Sequence, residues 1–511
     1  MATEEGGFQS SVDQILEESK GRVVDDVSGE LESSLELNSE GYEGLTEYAE
    51  EAISEVESTE NPYDIVGLSK DLKENVTDLV AYGELFSQKL GFLSEFQEEL
   101  VDEEDIEYAE QYLQENEHLE DTRIDAEDIA TVKALRDGRL YDELMSMGDE
   151  REWDTATIGD SLLFDNVNDV ADAVIADYYF RGGKGLRSTM GQITQYGFED
   201  SVDYQTVMMG AMAETFHSST LVQDDLMDGD TERRGRDSAN MIMDHVFGET
   251  GEDIPITTGN VMESWTNDLN VHEQLDIPQK SKETFVRVQD VVNRGQNEDI
   301  LMGHDLDSLD IDDYKHMSMG KTGFLYGGIL KMVAEHSMEN LDYTEEERQE
   351  VNELLGDYTA NFNFAFQSSD DLIEVLGGET GKSDSDIPNR KRTATVLTTD
   401  RAMQLQDEDI NGMPAEEYFR AFFSTDPEND PTENIEAAEG VEFPENIYDN
   451  QIRRIMEEKE DIHRAQLEEW ATEASKAAEN MQEVRGSEDG LNAGAANLLS
   501  KAAEAMNQRT H

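Results

Sequence analysis

Residues 208–228 read Met-Met-Gly-Ala-Met-Ala-Glu-Thr-Phe-His-Ser-Ser-Thr-Leu-Val-Gln-Asp-Asp-Leu-Met-Asp. An apolar stretch with helical spacing, Met208–Val222, runs straight into a knot of carboxylates. On a helix Asp224 and Asp228 lie one turn apart and share a face. The design recurs downstream: the apolar stretch Tyr358–Phe366 leads into Gln367-Ser368-Ser369-Asp370-Asp371-Leu372-Ile373-Glu374, again with two acids, Asp370 and Glu374, one turn apart. Bases follow each cluster, Arg233-Arg234-Gly235 after the first and Gly381-Lys382 with Lys391 after the second. One acidic pair in an acidic chain is an ordinary solvated face. Two pairs with matching apolar and basic flanks point to an anion held jointly by cationic side chains and by Mg²⁺, which takes carboxylate and phosphate oxygens.

Around these clusters the apolar residues keep helical spacing. Leu45, Tyr48, Ala49, Ala52, Ile53 and Val56 recur at i, i+3, i+4, i+7, i+8 and i+11, and Leu72, Val76, Leu79 and Val80 resume the pattern after Pro62. With only 8 prolines and little strand-like alternation, the pattern predicts an all-α fold. Met208, Met209 and Met212 are expected to fill its core. Residues 1–150 are acidic and mostly helical in pattern, and contain no motif to which chemistry attaches. They are expected to form an amino-terminal extension separable from the metal and diphosphate chemistry, with 151–511 as the functional domain. The Pro-, Asp- and Glu-rich residues 425–445 predict a surface loop.

The chain of 511 residues holds 120 acids against 38 bases, a formal net charge of −82, yet 37 % of it is hydrophobic. A disordered acidic chain would lack that apolar content, so a folded protein with an acidic surface is expected. Such a surface repels itself in dilute salt, whereas molar salt cuts the Debye length to about 3 Å. A halophilic, cytoplasmic protein follows. Nucleic-acid binding is not expected, because phosphate backbones need surface Lys and Arg. There is no cysteine, which excludes disulfides and thiolate metal sites. The start carries no secretory pattern, and no run of about 18 apolar residues predicts a transmembrane segment. Where bases are so few, their clustering is informative: Arg181, Lys184 and Arg187, then Arg233, Arg234 and Arg236, then Lys382, Arg390, Lys391 and Arg392.

Five ordered motifs together resemble the trans-isoprenyl diphosphate (polyprenyl) synthase family, over roughly residues 155–511, and of its members the geranylgeranyl diphosphate synthases. They are Gly182-Gly183-Lys184-Gly185-Leu186-Arg187, Asp224-Asp225-Leu226-Met227-Asp228 with Arg233-Arg234-Gly235, Gly295–Asp299, Lys321-Thr322-Gly323, and Phe366–Glu374 with Gly381-Lys382 and Asp386. The resemblance implies a class I isoprenoid synthase helical bundle. It implies three Mg²⁺ ions, with Asp224, Asp228, Asp370 and Glu374 as ligands and Asp225 and Asp371 supporting them. Arg233, Lys321, Thr322, Gln367, Lys382 and Lys391 would contact an allylic prenyl diphosphate. Lys184, Arg187, His217 and Arg234 would hold isopentenyl diphosphate. A homodimer is the family's usual assembly. Phe216, Ser219 and Thr220, upstream of Asp224, would form the floor that limits product length, and the small Ser219 and Thr220 favour a geranylgeranyl or slightly longer product.

The sequence departs from the family pattern at Gly185 (usually Arg), Ser188 (usually Pro), Gln223 (often His), Asn260 (often Asp), Ser368 (usually apolar) and Glu374 (usually Asp). These departures leave open an alternative: a weakly active or non-catalytic paralogue serving as partner subunit. A terpene cyclase fits less well, since cyclases lack the paired cations Lys184, Arg187 and Arg234. The charge itself generates a test. The protein should fold cooperatively in multimolar KCl and lose cooperativity below about 0.5 M as screening fails. A melting temperature independent of KCl would remove this reading.

Overall fold

The computed structural model describes residues 37–508 apart from 40, 58, 60, 120–121, 149–163, 165–166, 252, 303–308, 377–386, 388–389, 405–408, 411–412, 424–446 and 486–489. The helices are α1 (Glu43–Glu57), α2 (64–89), α3 (Leu93–Leu100), α4 (Glu103–Glu115), α5 (Ala126–Asp137), α6 (Arg139–Gly148), α7 (Val167–Phe180), α8 (Leu186–Glu199), α9 (Tyr204–Asp228) and α10 (Ala239–Phe247). There follow α11 (Ile254–Val271), α12 (Gln279–Met302), α13 (311–340), α14 (Glu345–Val375), α15 (Ala394–Met403), α16 (Ala415–Phe423), α17 (Ile447–Glu457), α18 (Glu460–Met481) and α19 (Ala493–Gln508). Among the described residues, strands are confined to two hairpins of two-residue strands. One of them, β1 (Glu232–Arg233) with β2 (Arg236–Asp237), carries a basic knot. The all-α expectation therefore holds.

Helix α9 is the axis of the bundle. Asp203 caps its start, accepting from the Thr206 amide at 2.8 Å, and Gly229 at φ +68° ends it. From Val207 to Phe216 every residue is buried, so the helix is surrounded rather than laid on a surface. Met208, Met209 and Met212 are in the core, as the spacing predicts. Helices α7, α8, α11 and α13 pack around α9, while α14 packs against α18 and α19. A second apolar cluster gathers α15, α16 and α17 around Phe419, Phe422, Ile452 and Met456.

The described amino-terminal helices share the main core: Leu45, Ile53, Leu72, Phe86 and Leu135 belong to the same apolar cluster as Met208 and Phe362. Helix α2 is interrupted by π turns at Lys73–Thr77 and Tyr82–Phe86, and it packs on α8, α9 and α19. Residues 425–445, expected as a loop, lie outside the described residues. Among the described residues no helix is long and apolar enough to cross a membrane.

The α9 cap reaches across to α13, where His336 Nε2 meets Asp203 Oδ2 at 2.7 Å. Burial alone would push the imidazole down, but the hydrogen bond to Asp203 and its charge outweigh this and raise it. Asp203 is held low by the same partner, against its own burial. A raised histidine stabilises the fold fully below its ordinary value of about 6.5 and loses that contribution as pH climbs through the raised value. Melting temperature should therefore fall above about pH 6.5 in the wild type and respond less to pH in His336→Gln. Parallel profiles for the two proteins would show that the pair does not titrate in this way.

Candidate active site

At the carboxyl end of α9 the chain encloses a cavity of about 480 Å³. Lining it from α9 are His217, Thr220, Asp224 and Asp228, which recur at helical intervals on one face. The facing stretch of α14 contributes Gln367, Asp370, Asp371 and Glu374. Lys184, Arg187, Arg233, Arg234, Lys321, Thr322 and Lys391 also line it. Of the expected site residues, Lys382 lies outside the described residues, as do Gly381 and Asp386.

The carboxylate end is held by lysines. Lys321 Nζ lies 2.9 Å from Asp224 Oδ1 and 2.6 Å from Asp299 Oδ2, and Lys391 Nζ lies 2.7 Å from Asp228 Oδ2. Burial would lower the Lys321 ammonium, but Asp224 and Asp299 hold it well above its ordinary value. For Asp224, burial raises the carboxyl while Lys321 and Lys391 more than compensate, leaving it low. Asp228 is instead raised, by burial and then by Asp224. Lys321 sits in a π turn, Met319–Gly323, inside α13, a distortion common at functional sites. The turn can approach α12 because residue 295 is glycine: a Cβ there would stand 2.2 Å from the Lys321 amide nitrogen.

The second aspartate of each motif is bonded to the scaffold, although Asp371 also lines the cavity. Asp225 is fully buried, accepting from Tyr178 at 2.8 Å and from Arg233 Nε at 2.9 Å, and it does not line the cavity. Asp371 accepts from the Ala394 amide at 3.0 Å and from Tyr314 at 3.3 Å, which ties α14 to the start of α15.

The other end is cationic. Lys184 follows glycines at positive φ, with its ammonium over the Phe366 ring. Arg187 stacks on Tyr326 at 4.4 Å. Arg234, at φ +53°, donates to the Gly182 carbonyl. Burial, opposed by Glu214 and reinforced by Arg233, Arg181 and Arg187, pushes the Arg234 guanidinium down to about 10. Burial and then Arg187, Arg234 and Arg233 hold the His217 imidazole well below its ordinary value, so it is neutral. Four groups crowded in this way make a pocket short of negative charge, which suits a polyanion.

Several departures from the family pattern find local partners. Gln223 donates to Asn260 Oδ1 at 3.1 Å, so these two changes meet each other. The Ser188 amide, absent in a proline, points to Glu214 at 3.4 Å. Glu374 lines the cavity on its longer arm. Of the three floor candidates, Thr220 lines the cavity. Ser219 and Phe216 are buried beside it, outside the lining, with Phe216 against Phe285 at 6.0 Å between centroids. Sequence reasoning gave no individual role to Gln296, which donates to Asp224 at 2.6 Å, nor to Asp299, Tyr178 and Tyr314. Gln296 and Asp299 lie within a stretch already singled out, whereas Tyr178 offers no signal.

The polyprenyl synthetase family model matches residues 171–416. A short chain isoprenyl diphosphate synthase of Methanocaldococcus jannaschii is 28 % identical over 241 residues, 45 % of this chain and 65 % of that protein. A geranylfarnesyl diphosphate synthase of Aeropyrum pernix is 26 % identical over 230 residues, 42 % of this chain and 66 % of that one. The chain thus spans slightly less than two thirds of the length of these relatives. Among solved structures, the geranylgeranyl pyrophosphate synthase of Corynebacterium glutamicum, complexed with isoprenyl diphosphate and magnesium, shares the fold with a TM-score of 0.54 at 17 % identity, covering 74 % of this chain and 98 % of that one.

The two kinds of aspartate should separate experimentally. Asp225→Asn removes the nearer of two buried carboxylates from the Arg233 guanidinium, Asp230 at 3.3 Å being the other, and breaking a buried pair costs up to about 3–5 kcal/mol. The variant should melt at clearly lower temperature. Asp224→Asn, at the cavity wall, should melt within a few degrees of wild type. Equal losses in both would mean that Asp225 is no strut.

Proposed function

We propose that the chain belongs to the polyprenyl synthetase family, whose model matches residues 171–416, and that it is a trans-prenyltransferase joining isopentenyl diphosphate head to tail with an allylic prenyl diphosphate. The observation that carries this reading is the polarity of a single cavity, cationic at Lys184, Arg187 and Arg234 and carboxylate-lined at Asp224, Asp228, Asp370 and Glu374.

The acidic wall offers only carboxylate oxygens, one turn apart on each of two helices, which suits Mg²⁺, since it binds through one or two carboxylates and completes its shell with water and phosphate oxygens. Asp224, Asp228, Asp370 and Glu374 are the residues that would hold it, as three ions. Bound there, Mg²⁺ would neutralise the charge that develops on a departing diphosphate. Lys321, Lys391 and Arg233 offer charged donors to the same oxygens, Thr322 and Gln367 neutral ones, and Lys382, outside the described residues, is assigned to this group from its motif alone. Lys184, Arg187 and Arg234 orient the second diphosphate, with neutral His217 beside it. The allylic C–O bond then breaks with its electron pair leaving on diphosphate. The isopentenyl double bond attacks the cation, a C–C bond forms, and the released diphosphate takes up the proton that is lost from the new cation. Leu221, Val292 and Leu325 line the apolar wall, which keeps water from the cation.

The product in this reading is geranylgeranyl diphosphate or one unit longer. At 1.5 Å per residue, Ser219 lies about 7.5 Å and Phe216 about 12 Å below Asp224 along α9, and the nearer residue is small. The assembly is a homodimer, supported by exposed Ile256, Val261, Val271 and Val286 on α11 and α12. A monomer by sedimentation in molar KCl would remove that part.

The test is incubation with isopentenyl and allylic diphosphates, Mg²⁺ and several molar KCl. Wild type should condense them, and Asp370→Ala should lose about 10²–10³ in rate, the scale of one charge-stabilising group. Ser219→Phe should shorten the product and Phe216→Ala lengthen it. No condensation with any primer defeats the function, whereas unchanged products in both variants defeat only the floor.

A further inference from the structure

The cationic end of the cavity is built on two turns, 182–187 and the β1–β2 hairpin. Neither is stiff by itself. The first contains Gly182, Gly183 and Gly185, all at positive φ, and the second turns through Arg234 and Gly235, also at positive φ. Their cations repel one another, so without outside support the turns would splay.

That support comes from the acidic amino-terminal helices. Ser69 of α2 is fully buried and its hydroxyl donates to the Lys184 carbonyl. One turn on, the Lys73 stem lies against Gly185: a Cβ at residue 185 would stand 2.6 Å from Lys73 Cβ. The residue that departs from the family's arginine is thus a glycine where α2 crosses the loop. Lys73 is buried and paired with Asp78 at 2.7 Å. Asp78 also takes Arg136 of α5 at 2.8 Å. Arg136 Nη2 donates to the Glu74 carbonyl, in the π turn, at 2.6 Å. The Arg136 carbonyl in turn receives Arg236 Nη2 at 2.5 Å, and Arg236 Nη1 meets Asp177 at 2.6 Å. Asp177 pairs with Arg181, whose Nη1 donates to the carbonyls of Arg233 and Asp237 at 3.1 and 3.0 Å. A continuous buried chain of bonds therefore runs from α2 and α5 to both turns.

We infer that the amino-terminal helices position the isopentenyl-side diphosphate pocket, with Ser69 and Lys73 fixing the 182–187 loop and Arg136 fixing the β1–β2 hairpin. These are positioning residues, since none of the three lines the cavity. The carboxylate end is braced separately, by Gln296, Asp299, Lys321 and Tyr314, and while the hairpin held through Arg136 also carries Arg233, the Ser69 contact reaches only the 182–187 loop, so its support acts on the isopentenyl side. The inference rests on the proposed function for the identity of the ligand, but its contacts do not depend on that reading.

The experiment uses the full chain in molar KCl, comparing wild type with Ser69→Ala and with Ser69→Cys, which keeps the volume and weakens the donor. Ser69→Ala should raise KM for isopentenyl diphosphate about tenfold, the scale of one hydrogen bond. Ser69→Cys should fall between, with kcat, allylic KM and melting temperature close to wild type. An unchanged isopentenyl KM overturns the inference, as does a rise in both KM values together or a loss of kcat in step with stability. Titration with inorganic pyrophosphate in EDTA separates this from the proposed function, because without metal the anion reads the cationic end alone. Weaker pyrophosphate binding in Ser69→Ala supports the positioning role even if no condensation is found. Equal binding in all three proteins overturns it.

Discussion

The Lys321 ammonium lies between Asp224 of α9 and Asp299 of α12, and it is carried by a π turn of α13. Three helices meet at that charge. Their meeting requires the glycine at 295, which lets the backbones of α12 and α13 touch. Six acids line this part of the cavity, Asp224, Asp228, Asp299, Asp370, Asp371 and Glu374, and their mutual repulsion in a partly dry cleft would open it. Lys321 and Lys391 oppose that repulsion from one side each. A buried ion pair seldom adds much net stability. Its value here is register: the ammonium fixes how far α9, α12 and α13 can slide past one another.

The same logic explains why the two aspartate-rich motifs share a division of labour. A helix presents positions 1 and 5 of each motif to the cavity, while position 2 lies behind that face, as Asp225 does, or at its edge, as Asp371 does. Asp225 and Asp371 therefore bind the scaffold, one to Tyr178 and Arg233, the other to Tyr314 and the α15 amide. A carboxylate that is fully bonded behind the wall keeps its helix from rotating, and so keeps the outward pair aimed inward. Each motif carries its own anchor one residue away from its first outward acid.

Much of this was legible in the sequence because it is local. Helical spacing gave the all-α class, and the i, i+4 acids gave the cavity-facing pairs. Clustered bases in a chain that otherwise avoids them marked Arg181, Lys184, Arg187, Arg233 and Lys391. What escaped were contacts between residues far apart in the chain whose types carry no signal. Ser69 and Lys184 are separated by 115 positions, and nothing about a serine in an acidic helix announces a bond to a carbonyl beyond it. Tyr178, forty-seven positions from Asp225, is an ordinary core tyrosine until the carboxylate is seen. The glycine at 185 reads as a departure from a pattern in one dimension, and as the room left for Lys73 in three.

The chain's charge gives these internal bonds a particular weight. With 120 acids and 38 bases, a base held in place is surrounded by competitors for its charge. An arginine at the surface would be drawn toward whichever carboxylate came near. Arg181 and Arg233 avoid this because their partners, Asp177 and Asp225, are completely buried, where salt screens the attraction far less than at the surface. Lys73 and Asp78 are sealed in the same way. High ionic strength would weaken the surface repulsions while leaving these pairs nearly untouched. The fold can therefore carry an acidic exterior and a cationic pocket in one molecule, provided the bases of the pocket are fastened from inside.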